Sequence, residues 1–243
     1  MSDLAARILE HLAAVDAERR RRAAAPALGQ AVAAMKGYQQ ARFARSHADL
    51  LADARHGPAA RFFLDELYGP RDFASRDAQF ARIVPALVRL FPREIAETVE
   101  ALAAVHGLSE RLDSAMGEHL GAAALDRPAY VRAWQATGEA TARGRQIELV
   151  MRVARALDRH TRSRVLRASL KAMRGPARAA GLAALQAFLE TGFDAFGAMR
   201  GAGEFLAVIE TREAALVRRL FEPSALADAI AGPVTGDPLE QLP

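Results

Sequence analysis

The chain has 243 residues, 51% of them hydrophobic, with 33 Lys and Arg against 29 Asp and Glu for a formal net charge of +4. That length and apolar content suffice for a folded protein with a sizeable core. The complete absence of Cys excludes disulfides, thiolate zinc sites, iron-sulfur clusters and Cys nucleophiles together, since each needs a thiolate.

Apolar spacing follows helical steps nearly everywhere, and Ala, Leu, Arg and Glu are strong helix formers. The fold class expected is all-α, a multi-helix bundle of eight or nine helices with no sheet. A first helix spans residues 3–24, capped by Asp3 and stopped by Pro26, with Leu4, Ile8, Leu12 and Val15 on one face. Its Arg19-Arg20-Arg21-Arg22 run encircles the helix and reads as solvated. A second helix spans residues 27–54. Pro58 opens a short helix to residue 68, which Gly69-Pro70 closes. Asp72 or Ser75 is placed to cap the next helix, 75–91, along which Phe80, Ile83, Val84, Leu87 and Leu90 share a face and Pro85 is expected to introduce a kink.

Pro92 starts a helix through Ile95, Val99 and Leu102 that bends at Gly107 and resumes to residue 124. Asp126-Arg127-Pro128 reads as cap and initiator of a helix on which Tyr130 and Trp134, four residues apart, share the core face. Stripes through Ile147 to Leu157 and Val165 to Met173 follow. Then Leu182, Leu185, Leu189, Phe193, Phe196 and Met199 recur at steps of three and four, as one buried helix face requires. A last long helix carries Phe205, Leu206, Ile209, Leu216 and Leu220. The expected organisation is N-terminal helices in residues 1–57, a main helical bundle in 58–221 that could divide near Asp126, and a poorly ordered tail in 222–243.

Residues 62–77 are the densest in unusual residue types, with Phe62, Phe63, Tyr68 and Phe73 among Asp65, Glu66, Arg71, Asp72, Arg76 and Asp77. The pattern from Phe62-Phe63-Leu64 through Leu67-Tyr68-Gly69-Pro70 to Asp72-Phe73 and Arg76-Asp77 resembles a group of proteobacterial hypothetical proteins. The resemblance continues through Leu108-Ser109-Glu110, Arg145-Gln146-Ile147, Phe188-Leu189-Glu190 and Gly203-Glu204-Phe205-Leu206. It implies one family-defining unit over residues 60–221, with the segments on either side more peripheral, and it imports no activity.

The corner reads first as a fixed helix junction in which Arg71 and Arg76 pair with the acids, and second as an interaction surface. His106 follows Ile95, Val99 and Leu102 on an apolar face. Phe73 stands 33 residues before it, a separation similar to that of truncated globins, and residues 102–108 resemble a proximal helix. That likeness implies haem with His106 as axial ligand and Phe73 on the porphyrin, although the Gly-Gly turn of those globins is missing. His106 and Glu110 could chelate a metal from one face, but no Glu-x-x-His unit accompanies them, and no metal is expected.

Between residues 143 and 178 eleven basic residues, Arg152, Arg155 and Arg159 among them, face only Glu148 and Asp158. Residues 179–243 hold nine acids against four Arg, so the halves can complement one another. The basic stripe could instead grip phosphates of nucleic acid or of an anionic lipid surface. No aromatic residue lies between Trp134 and Phe188, so base stacking is not offered there and nucleic acid is the weaker partner. The N-terminus carries Asp3, Arg7 and Glu10 where a secretory leader needs an uninterrupted apolar run, and no stretch is apolar enough to cross a bilayer, so a cytoplasmic location is expected. No Walker loop, nucleophile elbow, His-Glu-x-x-His or dinucleotide fingerprint occurs.

The reading is therefore a binding module without catalytic residues or a resident cofactor. It takes a protein partner or a small apolar ligand through Tyr68, Arg71, Asp72, Arg76 and Asp77 and through Arg152, Arg155 and Arg159. Haem bound by His106 and Phe73 is the alternative.

Overall fold

A computed structural model of the chain describes residues 3–66, 73–120 and 125–243. Tyr68, Gly69, Pro70, Arg71 and Asp72 lie outside the described residues. Those described form thirteen α-helices and a closing 3₁₀ turn, with no strand. In order these are α1 (Asp3–Ala24), α2 (Pro26–Ser46), α3 (Ala48–Ala52), α4 (Gly57–Glu66), α5 (Ala74–Leu90), α6 (Arg93–Gly117) and α7 (Arg127–Thr137). Then come α8 (Ala140–Thr161), α9 (Arg164–Ala172), α10 (Arg174–Ala179), α11 (Ala183–Met199), α12 (Gly203–Leu220) and α13 (Ala225–Ala231), followed by the 3₁₀ turn Pro238–Gln241.

The count exceeds eight or nine for local reasons. The helix expected over residues 27–54 breaks at His47, whose ring is fully buried 4.5 Å from the Phe43 ring centroid. A second break falls at Met173, between α9 and α10. Asp126 caps α7 as its sequence indicates, accepting from the Ala129 amide at 2.8 Å. The N-cap of α5 is Phe73, so Ser75 does not cap it.

α1 and α6 lie side by side and parallel, with Arg7 beside Glu100 and Arg22 beside Glu110. On α1, Ala5, Ile8, Leu12 and Val15 are buried at alternating steps of three and four, the spacing of a helix-pair seam. α6 answers with Val99, Ala103 and Gly107, while farther along it Asp113 and Gly117 face Lys36 and Val32 of α2. Gly107, expected to bend α6, leaves the helix continuous and serves the contact instead, because a Cβ there would stand 3.2 Å from the His11 carbonyl.

Two larger apolar clusters hold most of the remaining helices. Phe43, Phe62, Phe63, Met151, Phe196, Met199 and Phe205 form one, and Met35, Met116, Tyr130, Trp134, Leu216 and Leu220 the other. Each such side chain contributes ~2 kcal/mol by leaving water. Tyr130 and Trp134 are buried as their spacing indicates, with ring centroids 5.9 Å apart.

Two expectations change. Leu189 is exposed, because α11 turns Leu185, Gly192, Ala195, Phe196 and Met199 inward. The segment 222–243, expected to be poorly ordered, folds back as α13 and the 3₁₀ turn, with Leu239 and Leu242 at 0% exposure in the second cluster. Arg219 ties it down through Asp228 at 2.6 Å and Asp237 at 3.0 Å.

Candidate functional site

Glu66 ends α4, and Phe73, Ser75, Arg76 and Asp77 stand at the start of α5. α11 crosses this corner and brings Ala184, Ala187, Phe188 and Thr191 against it, enclosing a cleft of about 220 Å³ with Glu66, Phe73, Ser75 and Arg76 on the other wall. The Arg76 guanidinium is sandwiched there, 3.9 Å from the Phe73 ring centroid and 4.3 Å from that of Phe188. A planar guanidinium suits two aromatic faces as a Lys ammonium does not. Phe188 is backed by Phe62 at 5.5 Å. Phe62 reaches it because Gly192 has no Cβ, which would lie 2.8 Å from the ring.

Among the described residues Arg76 is loosely neutralised. Glu66 Oε2 is 3.4 Å from Nη1 and Asp77 Oδ1 is 3.7 Å from Nε, both beyond the roughly 2.7–2.9 Å of a tight charge-assisted bond. Burial pulls the guanidinium below its ordinary pKa, with Asp77 and Glu66 opposing. Asp77 is drawn elsewhere, since its Oδ2 accepts from Arg19 Nη2 at 2.6 Å.

Behind the cleft a chain of charges continues along the α1–α6 seam. His106 places Nδ1 3.7 Å from Asp77 and Nε2 3.6 Å from Glu110. Glu110 also accepts from Arg22 and, at 2.7 Å, from Lys36 Nζ. Burial opposes ionisation of Glu110, yet His106, Lys36 and Arg22 together hold its carboxyl well below the usual range. Asp113 is deeper, and burial pushes its carboxyl up against Lys36 and Arg143. Arg143 closes the chain, buried with its guanidinium 4.1 Å from the Trp134 ring. A separate buried group joins α2 to α12, where Glu213 accepts from Arg42 and lies 3.0 Å from His47 Nε2.

The candidates named from sequence therefore fall in distinct places. Phe73 and Arg76 line the cleft and Asp77 stands behind it toward Arg19 and His106, while Tyr68, Arg71 and Asp72 lie outside the described residues. His106 lies behind the cleft, between Asp77 and Glu110. Arg152 is exposed on α8, Arg155 pairs with Glu210 of α12, and Arg159 lies 3.5 Å from Glu94 of α6. Arg167 lies 3.5 Å from Asp194 and Arg174 binds Glu190 at 2.7 Å, so part of the basic segment is answered by acids of the following helices. The Arg19–Arg22 run is not uniformly solvated, since Arg19 and Arg22 point inward to Asp77 and Glu110.

Sequence reasoning missed Phe188, Arg19, Arg22 and Lys36. For the two arginines the signal was present, because 19 and 22 continue the buried steps 5, 8, 12 and 15.

Residues 18–226 match the family model described as a domain of unknown function, DUF8198. The chain belongs to this family. The DUF8198 match runs from the middle of α1 into α13 and takes in the cleft and the whole charged seam. No curated protein and no solved structure matches the chain.

Proposed function

We propose that the protein is a binding module whose ligand site is the Phe73–Arg76–Phe188 cleft, and that the ligand is a compact aromatic or short aliphatic group carrying a carboxylate. The observation that carries this reading is the half-buried Arg76 guanidinium, stacked on two rings and, among the described residues, only loosely met by Glu66 and Asp77. A buried charge with distant partners is costly, and a ligand carboxylate offsets that cost through a bidentate bond to the fork. The size fits. An apolar cavity of about 150 Å³ holds benzene, so about 220 Å³ has room for a ring and a carboxylate. Among the described residues no histidine lines the cleft, so Ser75 and Thr191 have no imidazole base beside them there, which favours binding over hydrolysis.

Calorimetric titration with sodium phenylacetate tests the reading, with acetate and 2-phenylethanol as controls that lack the ring or the charge. Saturable heat is expected with phenylacetate and at least tenfold weaker binding with either control. Arg76→Met is expected to abolish binding. Arg76→Lys keeps the charge without the stacked fork and is expected to weaken it at least tenfold. Absence of saturable heat in the parent protein, or equal binding by folded Arg76→Lys, would refute the site.

A further inference from the structure

α9 differs from every longer helix of the fold in burying none of its residues. Its side chains nevertheless divide sharply. Leu166 and Leu170, half-buried, lie toward α11, and on the same side Arg167 and Arg174 reach Asp194 and Glu190. The opposite arc is exposed throughout and consists of Val165, Ala168, Ser169, Ala172 and Met173, with the cations Arg164 and Lys171 along one edge. Val165 is 74% exposed and Met173 49%. Val165 and Met173 share this outward arc about 12 Å apart, and the exposed cations beside them make one continuous face of apolar and basic side chains.

The surrounding charge indicates what meets this face. No acid occurs between Asp158 and Glu190. Arg164 and Arg178 are exposed and have no acidic partner among the described residues, and Lys171, also exposed, has in its neighbourhood Glu190, which Arg174 already binds. An exposed arc carrying apolar side chains and edged by exposed cations suits a helix lying in a membrane interface, where apolar side chains enter the acyl boundary and Lys and Arg reach the headgroups. A nucleic acid would answer the cations but not Val165 and Met173, and α9 offers no ring for a base. Among the described residues no helix is long and apolar enough to cross a membrane, so the contact is with a surface.

We infer that α9 docks the protein on anionic lipid bilayers, with Val165 and Met173 entering the headgroup boundary and Arg164, Lys171 and Arg178 on the phosphates. The test is flotation with vesicles of phosphatidylglycerol and phosphatidylcholine in equal amounts, against pure phosphatidylcholine vesicles. Binding is expected to the mixed vesicles only and to fall with added salt. Each cation near such a surface is worth about fivefold in affinity, so Arg164→Glu with Lys171→Glu is expected to weaken binding more than twentyfold. Val165→Asp with Met173→Asp is expected to abolish it. Both pairs are exposed and leave helix content unchanged by circular dichroism. Arg132→Glu, an exposed cation on α7, is the charge control and is expected to bind as the parent. Absence of flotation with the mixed vesicles would overturn the inference. So would loss in the charge pair with full retention in the Val165 and Met173 pair, which would mean adsorption by charge alone.

Discussion

Glu213→Gln probes the buried group that pins α2 to α12. In the folded protein burial works against the Glu213 carboxylate, but Arg42 and His47 prevail and lower its pKa from 4.5 to about 2. The gap between 4.5 and about 2 corresponds to ~3 kcal/mol at 1.36 kcal/mol per pH unit. A second route gives a similar figure, since removing one partner of a buried ion pair costs about 3–5 kcal/mol. A depressed carboxylate contributes stability that is fully present above its unfolded value and lost as pH falls through its folded value. The window is therefore from 4.5 down to about 2. Urea unfolding at pH 7 is expected to show Glu213→Gln less stable than the parent by ~3 kcal/mol. The difference is expected to shrink toward zero as pH falls to 2.5, because the parent then loses what the variant already lacks. A variant within ~1 kcal/mol of the parent at pH 7, or a difference that does not change with pH, would refute the reasoning.

Gly192→Ala gains ~1 kcal/mol of helix propensity but drives a Cβ to 2.8 Å from the Phe62 ring, and overpacking of that kind costs about 1–3 kcal/mol. A net loss is expected in urea, together with weaker phenylacetate binding through the displaced Phe62 and Phe188; a stabilised variant with unchanged binding would show that the ring yields freely. Leu239→Ala removes a fully buried side chain from the C-terminal segment and is expected to cost about 2–5 kcal/mol in thermal or urea unfolding. A loss below ~1 kcal/mol would mean that this segment contributes little to the second cluster.

What the sequence discloses and what it hides have physical causes. The helical character of the chain is legible because Ala, Leu and Arg at steps of three and four leave no other regular structure open. The Asp126 cap, the Tyr130 and Trp134 pair and the α1 stripe follow from contacts within one or two turns. His47 is not legible as a break, because it leaves the helix to meet Glu213, 166 residues away. The C-terminal segment carries the Pro and Gly of a loop, and it is ordered by contacts distant in sequence, the packing of Leu239 and Leu242 against α2, α7 and α12 and the Arg219 ion pairs. At the cleft, Phe73 and Arg76 stand out in sequence by residue type. Phe188 does not, because an aromatic on an amphipathic helix reads as core until α11 is seen to cross α5. The inward turn of Arg19 and Arg22 was written in the register of α1 and obscured by the two solvated arginines between them.

The central claim is that Arg76 receives a ligand carboxylate between Phe73 and Phe188. Its most direct measurement is the Arg76 Nε–Hε resonance in a ¹H–¹⁵N spectrum, assigned by its absence from Arg76→Lys and followed during titration with phenylacetate. The account predicts a resonance that moves progressively and saturates with the calorimetric isotherm. An Arg76 signal that stays in place while phenylacetate binds, or a spectrum that does not change at all, would contradict it.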